Sequence, residues 1–409
     1  MFAQDNDATT TQTGSDHDAS VHQVGTTNVA TVDQTGTDND MMSESYGTSN
    51  MVDVDQTNSG NDAFVTQKGG EQNSATVNQS DIDNNAYIMQ GNGFAAVGNQ
   101  ATVTQSGSTM AGDGNVARVE QTFDQSMATV DQIGDSNEAM VKQVGKPNDA
   151  GAPNGNFPRN TADVDQNGYD NLAWVEQTSN SLTETGNVAT VNTVGNSNLA
   201  VVKQVEAISN EATINQNTSF ASAYITQTSD GNSATITQTG TDATLSSPED
   251  VAVINQEGGT GNIASTEQMT GESDDPGSFA YTGQTGNDNE ALVVNQGGRI
   301  QKSFIIQEGD DNYAKVERQG GFRNYSDIYQ NGTDHEAFVN QSWSYNDSFV
   351  NQYGSGHMAD VNQDGGGGNT AEILQENTAS GMTGPDTVKK AAADYTPAPP
   401  AGVTGATGF

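Results

Sequence analysis

The chain of 409 residues contains no cysteine, only four histidines and only 13 lysines and arginines. Without cysteine there is no disulfide framework and no thiolate metal site, and four imidazoles leave little scope for a zinc centre. The 53 aspartates and glutamates give a formal net charge of −40, which opposes binding to nucleic acid or to an anionic membrane. No apolar stretch approaches the roughly 20 residues of a membrane-spanning helix. The sequence therefore predicts no cofactor, no metal, no nucleic-acid partner and no membrane span.

Apolar and aromatic residues are also scarce, at 32% and 6% of the chain. An ordinary globular enzyme is nearer half apolar. Low hydrophobicity with high net charge is typical of disordered chains, which bury too little apolar surface to offset their conformational entropy. Disordered chains are, however, poor in β-branched residues, whereas Val, Thr and Ile abound here. The composition by itself therefore matches neither class.

A short repeat runs along almost the whole chain. The segment Asn28 to Gly36 reads Asn-x-Ala-x-Val-x-Gln-x-Gly, and this pattern recurs in 30 units, with Asn first in 22, Ala third in 25, Val or Ile fifth in 26 and Gln seventh in 26. Positions 1, 3, 5 and 7 share one face of a β-strand, whereas on a helix they would scatter at about 100° per residue. Gly at the ninth position of 19 units indicates a turn, because glycine accepts a positive φ. The first residues of the units are 6, 17, 28, 39, 50, 61, 73, 84, 99, 115, 126, 137, 160, 171, 187, 198, 210, 221, 232, 250, 262, 278, 289, 301, 312, 324, 335, 346, 357 and 369.

Two seven-residue strands and their four-residue turns make a coil of about 22 residues, so the 30 units predict about 15 coils. The predicted fold is an all-β solenoid with two parallel, in-register sheets, because an antiparallel meander gives no reason for the same residue to recur in every turn. Stacked coils place equivalent residues roughly 4.8 Å apart, so that Asn and Gln amides form hydrogen-bonded ladders beside a thin Ala and Val core. Fifteen coils would measure on the order of 70 Å. The residues selected to represent the core ladder are Asn28, Ala30, Val32, Gln34, Asn61, Ala63, Val65, Gln67, Asn171, Ala173, Val175 and Gln177.

The repeated array resembles the curlin repeats of the major subunit of curli, the bacterial extracellular amyloid fibre. The resemblance covers about residues 6–375. It implies a secreted structural subunit, not an enzyme, that self-assembles head-to-tail into cell-surface fibres of the biofilm matrix for adhesion and scaffolding. It also implies a nucleator subunit, an outer-membrane secretion pore and periplasmic chaperones as partners. The family commonly begins alternate strands with Ser and carries an export-recognition segment before its first repeat, whereas here Asn begins both strands and only Met1 to Asp5 precede Asn6.

The repeat divides the chain into three parts. Residues 1–5 are predicted to be the remnant of a leader, residues 6–375 to be the solenoid, and residues 376–409, with Pro397, Pro399 and Pro400, to be a flexible tail rich in Pro, Gly and Ala. Longer interruptions, such as residues 144–159, fall at turns, where a solenoid tolerates insertions.

Both ends of the array are predicted to be open edges for assembly. Solenoids that stay monomeric finish with atypical polar repeats, whereas here the first strand nearly keeps the motif and the last keeps it fully. The predicted edge residues are Asn6, Ala8, Gln12, Asn369, Ala371, Ile373 and Gln375.

The two strand series differ at their outward fourth position. Strands that begin at 6, 28, 50 and onward (sheet A) carry Thr there in 8 of 15 cases, whereas strands that begin at 17, 39, 61 and onward (sheet B) carry seven aromatics. A recurring stripe of this kind predicts either strand-favouring surface packing or a surface for lateral contacts and adhesion. The seven residues, which we call the aromatic row, are Phe64, Tyr87, Trp174, Tyr224, Tyr281, Phe304 and Phe349.

The Thr-rich sheet favours a second hypothesis, a monomeric β-solenoid that binds ice or acts as an adhesin. Thr102-x-Thr104 and Thr235-x-Thr237 form the required pairs, but Asp33, Asp55, Asp131 and Asp165 interrupt the surface with charge. An enzyme of the parallel β-helix kind is a third alternative, and it would need a wider coil and an aromatic-lined cleft with fixed acids or bases.

Few residues suggest site chemistry. Acidic pairs such as Asp310 and Asp311 are interpreted as solvated turn carboxylates, since calcium rolls need Gly-Gly-x-Gly-x-Asp in successive turns. His17, His335 and His357 occupy the Asn position of their units. They are interpreted as substitutions within the polar ladder, and the alternative is a pH-sensitive or metal-binding pair formed by His335 and His357.

Overall fold

A computed structural model describes residues 5–91, 96–107, 114–122, 125–145, 160–179, 186–240, 250–270, 277–319 and 321–377. Every regular element within these ranges is a β-strand. The same ranges contain no helix with the length and apolarity to span a membrane. Residues 1–4 of the predicted leader (1–5), residues 146–159 of the longest interruption and residues 378–409 of the predicted tail (376–409) lie outside the described residues. The division into leader, solenoid and tail therefore stays a prediction.

Within the described ranges, thirty strands follow the 30 predicted units, each beginning one residue after the first position of its unit, and three two-residue strands, β9, β25 and β28, lie between units. Their bounds are β1 Asp7–Ser15, β2 Asp18–Thr26, β3 Val29–Thr37, β4 Asp40–Thr48, β5 Met51–Ser59, β6 Asp62–Glu71, β7 Ser74–Gln79, β8 Asn85–Gln90, β9 Ala96–Val97, β10 Gln100–Ser106, β11 Val116–Thr122, β12 Met127–Asp135, β13 Glu138–Val144, β14 Thr161–Tyr169, β15 Leu172–Thr178, β16 Val188–Asn196, β17 Leu199–Gln204, β18 Glu211–Asn217, β19 Ser222–Gln227, β20 Ser233–Gly240, β21 Val251–Glu257, β22 Ile263–Thr270, β23 Phe279–Thr285, β24 Glu290–Gln296, β25 Gly298–Arg299, β26 Lys302–Asp310, β27 Tyr313–Gln319, β28 Gly321–Phe322, β29 Tyr325–Thr333, β30 Glu336–Gln341, β31 Asp347–Ser355, β32 Met358–Gln363 and β33 Thr370–Glu376.

The strands form two long parallel sheets. Sheet A runs β1-β3-β5-β7-β10-β12-β14-β16-β18-β20-β22-β24-β27-β30-β32, and sheet B runs β2-β4-β6-β8-β11-β13-β15-β17-β19-β21-β23-β26-β29-β31-β33. Pairing is in register with the repeat, as where Ala8 lies beside Ala30 and Gln12 beside Gln34. Beside these paths, β9 pairs with β6, and β25 with β28. The predicted solenoid of two parallel sheets is confirmed.

The core is as thin as the repeat predicts. Between the terminal coils the third and fifth positions are buried along both sheets, and the residues from Ala30 to Ala264 form one continuous cluster that consists mainly of Ala, Val and Ile. A second cluster begins at Ala280. Between them, Thr266 and Thr282 replace the usual Val; both are fully buried, and their hydroxyls make no hydrogen bond. Two buried hydroxyls therefore weaken the apolar contact where the core divides.

The turns are tighter than predicted. Of the described strands, ten have the predicted seven residues, whereas eleven, such as β14, span nine, because in those coils the corner residues also pair in register, up to Tyr169 beside Asn196. Gly168 has a φ of +133°, and a Cβ there would lie 1.9 Å from the carbonyl oxygen of Gly195. The residue before the next Asn also has a positive φ, as in Asp170 at 54°. The sequence-based interpretation assigned positive φ to glycine alone and missed this second position, where Asp and Ser recur.

Candidate assembly surfaces

The glutamine ladder lies buried beside the core. Gln177 donates from Nε2 to Gln204 Oε1 at 2.9 Å, to Thr161 O at 2.9 Å and to Asn187 O at 3.1 Å, and its Oε1 accepts from Gln143 Nε2 at 2.9 Å. In sheet B the side-chain bonds continue unbroken from Gln67 to Gln375. Each glutamine amide donates toward the C-terminal end of the solenoid, so this ladder has a direction.

The asparagine ladder has the opposite direction. Asn171 donates from its backbone N–H and from Nδ2 to Asn137 Oδ1, at 3.2 and 3.0 Å, and its own Oδ1 accepts from the Asn198 N–H at 3.1 Å. Its Nδ2 also donates to Gly195 O at 2.8 Å, which ties the ladder to the turn. The bonds from one asparagine to another therefore run toward the N-terminal end. All twelve residues selected to represent the core ladder are at most 1% exposed.

The N-terminal face of the solenoid consists of β1 and β2. Strand β1 is exposed along its whole length. Gln12 donates to Gln34 Oε1 at 2.8 Å, and Asn6 Oδ1 accepts from the Asn28 N–H at 3.0 Å. Ala8 pairs with Ala30 in the same register. Among the described residues no strand covers the other side of β1, so Gln12 Oε1 and the Asn6 N–H groups face outward there.

The C-terminal face consists of β32 and β33. Gln375 accepts from Gln352 Nε2 at 2.9 Å, and Asn369 donates to Asn346 Oδ1 at 3.1 Å. Ala371 and Ile373 are half-buried and pack against the second core cluster. The outer side of this face carries Asn369 Oδ1 and the Gln375 amide.

The two strands predicted as edges lie in different sheets. Strand β1 ends sheet A and β33 ends sheet B, so each face has a second edge strand, β2 or β32. Sequence reasoning took the first and last units and missed β2 and β32. The signal was present, because two units make one coil and each face must therefore show two strands.

The aromatic row lies along the outside of sheet B. Phe64 lies beside Tyr87 and Tyr281 beside Phe304, and the Phe64 and Tyr87 rings stack with centroids 5.0 Å apart. Trp174, Tyr224 and Phe349 occupy the same position in other coils. Phe304 is only 5% exposed, whereas Tyr87 is 37% exposed. Between these residues the same line carries Met140, Val201 and Val253, so it is largely apolar from Met42 to Phe304.

Sequence reasoning missed two aromatic residues that widen this row. Phe279 and Tyr325, at the second position of their units, pack on Phe304 with centroids 5.4 and 5.5 Å away. The second position of a unit is outward like the fourth, so the sequence could have identified both aromatic residues as neighbours of the row.

The two outer faces also differ in charge. Between β8 and β26, the outward positions of sheet B carry five acids, Glu120, Glu138, Glu176, Glu257 and Glu308, and four bases, Arg118, Lys142, Lys203 and Lys302. Lys142 Nζ lies 3.1 Å from Glu176 Oε1. The same coils of sheet A carry only acids: Asp131, Asp163, Asp165, Glu211, Glu267 and Glu290. The aromatic row thus lies on the less acidic face.

The Thr positions of sheet A do not form an uncharged surface. Thr76, Thr102 and Thr129 lie in line, but Asp163 follows in the same line. Burial, and then repulsion from Asp163, raise the pKa of Asp131. Carboxylates this close to the Thr line disfavour ice binding.

Histidines occupy the asparagine ladder at three positions, as predicted. The rings of His335 and His357 stack with centroids 5.2 Å apart, and the His335 Nδ1 accepts from the His357 N–H at 3.3 Å. Burial lowers the pKa of His335, and the neighbouring His357 lowers it further. Within the described residues no group of three or more His, Cys, Asp or Glu side chains is placed to hold a metal ion.

Comparison with known protein families matches the model described as the curlin associated repeat to residues 3–36, 16–42, 124–152 and 209–240. These segments contain units of the repeat described above, so the predicted resemblance is confirmed. A comparison with curated proteins finds no match.

Proposed function

Because this chain carries curlin repeats, we propose that it is a secreted structural subunit that self-assembles head-to-tail into curli-like extracellular fibres. The proposal assigns it to the cell surface of a bacterium, in the biofilm matrix, with adhesion and scaffolding as its roles. A nucleator subunit, a secretion pore and periplasmic chaperones are the partners that the family relationship supports.

The observation that carries this proposal is the complementarity of the two end faces. The C-terminal face offers glutamine amide donors and an asparagine acceptor, and the N-terminal face offers a glutamine acceptor and backbone donors. A second copy stacked in register places β1 on β32 and β2 on β33, and both ladders continue with their directions unchanged. Such a contact is heterologous and does not close, so it produces a filament.

The backbone of the C-terminal face shows which groups a second copy must meet. The N–H groups of Asp347 and Glu336, at the second position of their units, donate to the next coil, to Asn369 O and His357 O. Because N–H groups alternate along a strand, those of Glu372 in β33 and Asp360 in β32 point to the open side. Those of Ala371 and Ile373 point back to β31.

The test replaces the outward donors without disturbing the subunit. Asp360→Pro with Glu372→Pro removes two outward N–H groups, and proline is tolerated on an edge strand whose N–H faces solvent. We expect this variant to fold, by circular dichroism, and to elongate preformed fibre seeds at least about tenfold more slowly, since two ladder bonds of about 1 kcal/mol each are lost. The matched control, Asp360→Thr with Glu372→Thr, keeps both N–H groups and should elongate normally. Equal elongation of the proline and threonine variants would refute head-to-tail stacking through this face.

A further inference from the structure

The three ladder histidines reproduce the hydrogen bonds of asparagine. Asn39 donates from Nδ2 to Thr35 O, four residues back, at 3.3 Å, and its Oδ1 accepts from the Asn61 N–H at 3.1 Å. His335 Nε2 lies 3.3 Å from Asn331 O, also four residues back, and Nδ1 accepts from the next coil. His17 does the same, with Nε2 3.2 Å from Thr13 O and Nδ1 3.4 Å from the Asn39 N–H. This pattern requires the neutral ring with its proton on Nε2.

Two of these histidines lie on the terminal coils. His17 begins the ladder of sheet B on the N-terminal face, and His357 ends the ladder of sheet A on the C-terminal face. In the head-to-tail stack, His357 therefore meets Asn6 of the next copy, and Asn369 meets the next copy's His17. Every joint between subunits thus contains one imidazole in each sheet.

The two imidazoles respond differently to protonation. The backbone N–H of Asn6 in the next copy needs an acceptor, and His357 Nδ1 supplies it only when that nitrogen carries no proton. A protonated His357 carries a proton on Nδ1, so its ring N–H faces the backbone N–H of Asn6 and no hydrogen bond forms. A protonated His17 loses its bond to the Asn39 N–H and brings a charge into the joint, where water is excluded.

We propose that these two histidines make the joint between subunits pH-sensitive, so that fibres elongate with neutral imidazoles and stop elongating when the imidazoles are charged. The partner is a second copy of this chain, and the inference rests on the proposed function. His335, one coil inward from His357, is already in the environment that docking creates: it is fully buried, and burial lowers its pKa although Asp334 favours the charged form.

Carboxylates surround the joint, but they lie on turns and outward positions. Around His17 these are Asp16, Asp18, Asp38 and Asp40. Around His357 they are Asp334, Glu336, Asp360 and Glu376, with Asp5 and Asp7 brought by the next copy. Asp5 and Asp7 favour the charged ring in the fibre, whereas docking also removes water from the ring, and at His335 the same burial outweighs the neighbouring Asp334.

The experiment measures the concentration of soluble subunit in equilibrium with fibres at pH 7.5 and pH 5.0, by sedimentation. The test variant is His17→Asn with His357→Asn, which restores the residue that most units carry. The control is His22→Asn, because His22 is exposed on the outer face of sheet B, where it contacts the Tyr46 ring and hydroxyl.

We expect the soluble concentration of the parent and of the His22→Asn control to rise about 10- to 30-fold at pH 5.0 relative to the double variant. Each joint imidazole must be neutral to accept the N–H of the neighbouring coil, so acid weakens association of the parent and not of the variant that carries Asn at both positions. Carboxylate protonation affects all three proteins alike, so the ratio isolates the ladder histidines.

The same pH dependence in the parent and the double variant, with both forming fibres at pH 7.5, would overturn the pH gate and leave the fibre proposal standing. An acid effect that the parent and the double variant share would then come from carboxylates or from His335, which both proteins keep. Absence of fibres from all three proteins at pH 7.5 would overturn the proposed function and the gate with it.

Discussion

The buried carboxyl of Asp327 provides a stability test whose size follows from the structure. Asp327 is at an outward position of sheet B, between Phe304 and Phe349, yet it is only 1% exposed. The Tyr325 hydroxyl donates to its Oδ2 at 3.3 Å, and its Oδ1 makes no hydrogen bond. Burial raises the pKa of Asp327 to about 6, against an ordinary value of 3.8.

A raised pKa means that the folded state binds the proton more tightly than the unfolded chain. Between pH 4 and pH 6 the folded state therefore holds more protons, and the free energy of unfolding falls as the pH rises. A shift of about two units corresponds to a loss on the order of 3 kcal/mol, complete above pH 6. Asp327→Asn keeps the shape and removes the charge, so it should stabilise these coils by about that amount at pH 7 and by much less at pH 4.

Hydrogen exchange of the β29 and β31 amides measures the free energy of local opening, which suits a repeat protein better than a global unfolding curve. Asp360→Asn is the matched control, because Asp360 holds the same position of its unit on sheet A and is exposed. It should change stability by less than about 0.5 kcal/mol. A gain for Asp327→Asn that is absent at pH 7, or equal at pH 4 and pH 7, would show that the carboxylate is not the source of strain.

Three further predictions concern the ladders and the aromatic row. Gln177→Leu removes four ladder hydrogen bonds and should lower the free energy of local opening by about 3–5 kcal/mol. The control, Glu176→Leu at the adjacent outward position, should change it by less than about 1 kcal/mol. Similar exchange rates for the two variants would contradict a stabilising ladder. Because burial lowers the pKa of His335, the unfolded chain binds more protons as the pH falls, so the free energy of local opening across β30 to β33, corrected for the intrinsic pH dependence of amide exchange, should fall from pH 7 to pH 5. His335→Asn should remove that change, and a free energy of opening that is indifferent to pH in this range would contradict the prediction. Fibres should form bundles at high ionic strength, because salt screens the net charge of −40 on each subunit. Replacing the seven residues of the aromatic row by Thr should abolish bundling but not the growth of single fibres. A Thr variant that bundles like the parent would show that sheet B is not the adhesive face.

The sequence by itself determined the strands, their register and the core. Asn28, Ala30, Val32 and Gln34 recur with a period of two inside each unit and at a constant position from unit to unit. In a solenoid each coil contacts its neighbours along the axis, so a local pattern repeated in register already specifies most tertiary contacts. The corner was less predictable, since the positive φ of Asp170 arises from the close stacking of backbones and not from a residue type that demands it.

Only the tertiary structure decided the direction of the hydrogen bonds in each ladder and the burial of residues that contact several coils. The opposite directions of the two amide ladders depend on how each side chain is oriented between its neighbours, which residue identity does not encode. Asp327 occupies a position that the repeat marks as outward, and it is buried because Phe304, Phe349 and Tyr325 from three different strands converge on it. Packing around a residue, and not its place in the repeat, sets its solvation.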